Sequence, residues 1–256
     1  MSFRAAFLIG LLALMWAPLA LAQATAETPP EEVFWQANQA YDEGQVKAAR
    51  DAYQALIDGG FESGPLQYNL GNSLLRTGEL GEAVAAYKRS LALAPRDADT
   101  RANLNFARQS TKDAVAAPQP SALSRTLLFW HHGLSLTEKL WGALLLNVLF
   151  WGLLLLTRFR GRRELGNWLL LATGTPLLAL VASVSVGVFA PQSSAVVLHE
   201  EITVYSGTST ESTVRFVLHE GTEAQVLERA QGWVSLNLSD GKRGWVQQSD
   251  VALLVE

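Results

Sequence analysis

Two long uncharged apolar runs, Leu140–Leu156 and Trp168–Ala190, occupy the middle of the chain, separated by the basic turn Arg158-Phe159-Arg160-Gly161-Arg162-Arg163-Glu164. An apolar run of roughly 17–25 residues matches the ~30 Å hydrocarbon core when wound as an α-helix. In lipid the helix also satisfies every backbone amide within its own segment. The pattern predicts transmembrane helices over residues 139–157 and 167–190 with a basic loop over 158–166. A hairpin of this kind puts the segments before and after it on the same side of the bilayer. Arginine is concentrated in the short loop and nearly missing from the far ends, which places the Arg158–Arg163 loop in the cytoplasm. Both flanking segments then lie outside, in the periplasm of a bacterial inner membrane.

Details inside the hairpin sharpen this expectation. Ser135-Leu136-Thr137-Glu138 has the spacing of a capping box, which starts the first helix there. Asn147 is expected to hydrogen-bond to its own or a neighbouring helix. Ala179, Ser183 and Gly187 recur every four residues as a small-residue face, and Gly174-Thr175-Pro176 is expected to bend the second span. Two helices without an internal charge make no transport path. The hairpin therefore reads as an anchor.

Residues 1–22 combine Arg4, an apolar core from Ala5 to Leu21, and Ala20-Leu21-Ala22 at the end, the layout of a secretory signal peptide. Cleavage before Gln23 and retention as an anchor helix are both open, and both export the adjoining segment. The chain has no cysteine, which excludes disulfides, thiol catalysis and Cys-ligated zinc or iron–sulfur centres. A formal charge of -4 carries no basic footprint for nucleic acid.

A shift of thirty-four residues aligns Phe34 with Tyr68, Ala37 with Gly71, Asn38 with Asn72 and Gly44 with Gly78. It also aligns Ala49 with Ala83, Tyr53 with Tyr87 and Ile57 with Leu91. Gly71 and Ala37 permit close helix approach, Gly44 and Gly78 suit a positive φ between helices, and Pro95 stops the second helix. The stretch YNLGNSLLRTGELGEAVAAYKRSLALAP resembles the tetratricopeptide repeat family, whose period is ~34. The first copy departs from the pattern at Gln36 and at Phe61. Repeats are thus expected over 31–64 and 65–97, with a cap helix over 98–109, the first helix of an unfinished third repeat. The resemblance implies a concave groove that binds extended segments of partner proteins, lined by Phe34, Asn38, Tyr41, Tyr68, Asn72 and Leu75. Asn72 is equally a common consensus residue and the aromatics equally a cover for the core.

Residues 110–122, with Ala117-Pro118-Gln119-Pro120, read as a linker. Leu123–Trp130 is apolar and aromatic and suits the membrane–water interface. His131-His132 point about 100° apart on a helix and lack a third ligand, so no metal is expected there.

From residue 194 onward the pattern changes to short strands at 195–199, 202–205, 214–219, 224–228, 233–238 and 244–247, with a hairpin turn at Ser239-Asp240-Gly241-Lys242. The segments ITVYSGTST, LHEGTEAQVLE and GWVSLNLSDGKRGWVQQSDV resemble bacterial SH3-like domains over 194–256. That resemblance implies a small barrel that binds peptides or wall polymers, with Tyr205, Trp233 and Trp245 as candidate contacts or, alternatively, as core. Nine acidic against four basic residues favour a basic partner. His199 and His219 fall on predicted strands without an evident acidic or nucleophilic partner.

The fold class expected is multi-domain: all-α tetratricopeptide repeats, a two-helix transmembrane hairpin and an all-β SH3-like barrel. No nucleophile elbow, phosphate loop or dinucleotide fingerprint occurs, so neither catalysis nor a cofactor is expected. The order signal, repeats, hairpin, barrel resembles the tetratricopeptide members of the aerotolerance (Bat) operon proteins, the BatE-like group. That resemblance implies membrane-bound von Willebrand factor A proteins and a MoxR-type AAA+ ATPase as neighbours, in oxygen tolerance or envelope stress. A tether that binds peptidoglycan through the barrel is the alternative.

Overall fold

The structure is a computed structural model that describes residues 29–113, 122–160, 163–189 and 193–255. The expected signal peptide, most of the expected linker, and Gly161, Arg162 and Ala190 of the expected hairpin lie outside the described residues.

Five helices run in antiparallel succession: α1 (Pro30–Asp42), α2 (Val46–Asp58), α3 (Gly64–Thr77), α4 (Leu80–Leu93) and α5 (Ala98–Gln109). Their starts are fixed locally. Ser63 accepts a hydrogen bond from the Leu66 amide and Asp97 one from the Thr100 amide, each satisfying an otherwise orphaned first-turn donor. Gly44 and Gly78 take positive φ between paired helices, as the repeat pattern expects. Gly71 lies against the ring of Tyr87, where a Cβ would stand 2.6 Å from a ring carbon. Tyr53 and Tyr87 are almost wholly buried among Ala37, Leu56, Leu70, Ala83 and Leu104. The core of the array is thus built from the residues that repeat.

α6 (Ala122–Leu127) and α7 (Phe129–Gly133) lead into the long apolar helices α8 (Leu136–Arg160) and α9 (Arg163–Phe189). Within these, Leu136–Thr157 and Gly166–Val186 are long and apolar enough to cross a membrane. The capping box forms: Ser135 and Glu138 exchange backbone-to-side-chain hydrogen bonds of 2.9 and 3.3 Å. Glu138 also pairs with Arg96 of the α4–α5 loop. α9 continues through Pro176. The helices meet where small residues meet larger ones: Gly166 on Thr157, Gly174 on Phe150, and Gly142 under Leu180. None of these notches falls on Ala179 or Ser183 of the expected Ala179–Ser183–Gly187 face, and the surroundings of Gly187 lie outside what the structure describes. Ser183 is instead buried beneath α7, its hydroxyl 2.8 Å from His131 Nδ1. Contact between the spans follows the larger side chains that fill glycine notches, which four-residue spacing alone does not reveal.

Seven strands follow among the described residues: β1 (Ser193–Val197), β2 (Glu201–Tyr205), β3 (Val214–His219), β4 (Glu223–Ala230), β5 (Trp233–Asn237), β6 (Arg243–Gln247) and β7 (Val251–Val255). They form one antiparallel sheet in the order β3-β2-β6-β5-β4-β1-β7, and the hairpin turn at Ser239–Lys242 forms as expected. Residues from every strand share one core, including Val197, Val204, Leu218, Ala224, Val234, Val246 and Val251, so the sheet coils around it. The sequence pattern misses β7, whose run Val-Ala-Leu-Leu-Val does not alternate. His199 lies in the β1–β2 turn and not on a strand.

β1 and β7 are covered on both faces. Their inner faces join the sheet's own core, while Val196 and Leu254, with Ala252, join the core of the helical array. Burial of each larger side chain contributes roughly 1.5–3 kcal/mol. The sheet packs on α4, the side where a repeat array would otherwise add its next helix.

Candidate partner-binding surfaces

A polar ladder with the same period as the repeats links the first helices of the array. Asn38 Oδ1 accepts from the Tyr53 hydroxyl at 2.7 Å and from Asn69 Nδ2 at 2.8 Å. Thirty-four residues on, Asn72 Oδ1 accepts from the Tyr87 hydroxyl at 2.8 Å and from Asn103 Nδ2 at 2.8 Å. Each bridge ties the first helices of two successive repeats to a buried tyrosine. Burial pushes the Tyr53 hydroxyl up to about 12 and the Tyr87 hydroxyl higher still, so both remain protonated donors.

All six residues expected in the groove are half-buried. Asn38 and Asn72 each commit their side-chain oxygen to the ladder. Phe34 packs on Tyr53 with ring centroids 6.0 Å apart. Tyr68 lies 6.3 Å from Tyr87, and Tyr41 lies 4.8 Å beneath the Arg76 guanidinium. Leu75 packs against the core of the array.

The ladder ends in aromatics. Trp35 occupies in the first repeat the position held by Asn69 and Asn103, and Phe106 occupies in α5 the position of Asn38 and Asn72. Trp35 is 69% and Phe106 60% exposed. An apolar residue in a slot that elsewhere carries a structural amide, and left open to solvent, suits a partner side chain. These two positions are legible in the period once the ladder is known, because they break it.

On the sheet, Tyr205, Trp233 and Trp245 lie on the face opposite the buried core and are half-buried. Strand register sets this, since Val204, Val234 and Val246 alternate with them and point inward. Trp245 stands opposite Tyr205 on β2 and Ser235 on β5. Tyr205 and Trp233 meet edge to face at 5.7 Å. The three rings thus form one outward cluster and do not fill the core.

Between the helical array and the sheet lies a charged seam. Glu223 on β4, only 4% exposed, accepts from Arg108 Nε at 2.6 Å and Nη2 at 3.0 Å, and pairs with Lys88 Nζ at 3.0 Å. Burial alone would push its carboxyl up, but the hydrogen bonds from Arg108 and the charge of Lys88 outweigh this and hold it below the usual carboxylate range. Asp113 accepts from the His219 amide, the His219 ring and the Thr222 hydroxyl, at 2.8, 2.8 and 2.6 Å. Its pKa is also lowered, since these bonds outweigh its burial. His219 therefore has an acidic partner that local sequence does not show. The Gly81 amide donates to Glu220 at 2.9 Å, and any Cβ at Gly81 would collide with the Val197 carbonyl.

The family model for the tetratricopeptide repeat matches residues 65–97. The model for the bacterial SH3 domain matches residues 200–252. The first match falls on α3 and α4, the second on β2 to β6 and the start of β7. Both kinds of domain generally bind proteins or peptidoglycan. No curated protein matches the chain.

Proposed function

We propose that this chain is a non-catalytic, membrane-anchored scaffold that grips an extended segment of a partner protein in its helical groove. The observation that carries this reading is the broken ladder. Two inter-repeat amide bridges shape the groove, and exposed Trp35 and Phe106 stand at its ends where the pattern would supply further amides. The apolar helices α8 and α9 anchor the unit as a two-span hairpin. The repeats and sheet face the periplasm, and the arginine-rich turn faces the cytoplasm. Domain order supports a place beside von Willebrand factor A proteins and a MoxR-type ATPase in a Bat-type assembly for oxygen tolerance or envelope stress.

The test is purification of the full chain in mild detergent at native expression, with identification of the proteins that co-purify. The expected result is a membrane protein that Trp35→Ala and Phe106→Ala together release, with the helix content of the doubly substituted chain checked to be unchanged. Recovery of no membrane partner, or capture indifferent to both substitutions, would contradict the reading.

The outward Tyr205–Trp233–Trp245 cluster favours a second reading, attachment to peptidoglycan through the sheet. Because β1 and β7 are half of the seam with α4, the sacculus pull-down needs the full chain. Loss of binding in Trp233→Ala supports wall attachment, and protein left wholly in the supernatant dismisses it.

A further inference from the structure

The first apolar helix carries one polar side chain near its middle, and the fold leaves it unmatched. α8 meets α9 through Gly142, Phe150 and Thr157. Asn147 points elsewhere: it is exposed and makes no hydrogen bond to another described residue. Of the partners expected for it, neither its own helix nor another described helix of the same chain supplies one. Within Leu136–Thr157, Asn147 lies at the centre, about 16 Å of helix from either end. Water does not reach that depth of a bilayer, and an unpaired amide there is costly. Leu140, Leu144 and Trp151 flank it at heptad spacing and are 52%, 53% and 59% exposed. The result is a continuous apolar seam with a single amide at its midpoint.

We propose that this seam is a contact between two copies of the chain, with Asn147 of one copy hydrogen-bonded to Asn147 of the other at the bilayer midplane. A carboxamide carries donor and acceptor together, so two of them pair across a twofold axis. Every copy inserts in the same direction, so the same residue lies at the same depth in each. A parallel α8 pair with its axis along the membrane normal therefore places the two amides opposite one another without any adjustment of register. A helix from a different protein would have to present a polar group at this depth independently. Asparagine pairs of this kind hold membrane helices together. Pairing would set two groove-bearing units side by side and raise the avidity for a repeated or dimeric partner.

The inference rests on α8 being a membrane span, so the full chain in liposomes is first shown to resist alkaline carbonate extraction; extraction would remove the span itself, whereas cross-linking addresses only pairing. The natural chain has no cysteine, so single cysteines report cleanly. Leu144→Cys lies on the Asn147 face, and Leu145→Cys, at a position 71% exposed, lies on the opposite one. Under mild oxidation Leu144→Cys is expected to give a cross-linked dimer and Leu145→Cys is not. Adding Asn147→Leu to Leu144→Cys is expected to weaken association roughly five- to thirty-fold across a lipid-dilution series, with Asn147→Gln restoring it. Equal cross-linking at both positions, association indifferent to Asn147→Leu, or a monomer at every protein-to-lipid ratio would each overturn the proposal.

Discussion

Replacing Glu223 with glutamine removes one charge from the seam while keeping the shape of the side chain. The wild-type carboxylate is 4% exposed and shared by Lys88 and Arg108, whose side chains are 12% and 25% exposed. Breaking a buried pair by removing one partner costs about 3–5 kcal/mol, because the charge left behind is neither hydrated nor paired. Here two cations lose their common anion, but Arg108 keeps partial access to water and the amide retains one acceptor. We therefore place Glu223→Gln at about 2–4 kcal/mol. The assay is chemical denaturation of the full chain in detergent, with helix content and tryptophan emission followed together. Because Val196 and Leu254 belong to the core of the helical array, array and sheet are expected to unfold in one transition. The substitution should lower the midpoint or split the transition in two. A wild-type chain that already unfolds in two separate steps, with Glu223→Gln changing neither, would show that the seam does not couple them.

Three further outcomes rest on the same geometry. The seam should weaken in acid: Glu223 and Asp113 have depressed folded pKa values, so their contribution is present above the ordinary carboxylate pKa and is lost as pH falls through the folded values. Thermal melts from pH 6 to pH 3 should show the loss beginning below about pH 4.5 and diminished in Glu223→Gln. Asn72→Ala leaves the wholly buried Tyr87 hydroxyl without its acceptor and should destabilise the array by roughly 1–3 kcal/mol, measured by denaturation. Single cysteines at exposed Lys47 and Lys242 should both react with a membrane-impermeant maleimide from the same side of sealed vesicles; labelling from opposite sides would contradict a two-span hairpin.

The repeats are legible in the sequence because their packing residues recur: Ala49 and Ala83, Tyr53 and Tyr87, and Gly44 and Gly78 each perform one job twice. The partners of Asn38 and Asn72 are not, because Asn69 and Asn103 matter only through bonds across helices. Strand alternation reveals six strands but leaves Tyr205, Trp233 and Trp245 open between contact and core; their outward face comes from the register of the folded sheet. β7 escapes, being covered on both faces and so lacking alternation. The seam is the least legible feature. Lys88, Arg108 and Asp113 meet Glu223, His219 and Thr222 from more than a hundred residues away, and none stands in a local motif. Taken singly they are ordinary surface charges. The two long apolar helices are plain from hydropathy alone, whereas their mutual contacts depend on which side chain fills which glycine notch.

The helical array and the sheet pack as one body, joined by the Glu223 seam. Spin labels at cysteines replacing Lys47 on α2 and Lys242 in the β5–β6 turn, both exposed, report this directly through their dipolar distance distribution in liposomes. A single narrow distribution that broadens in Glu223→Gln is the expected result. A broad wild-type distribution, unchanged by that substitution, would mean two independently tethered modules and no common body.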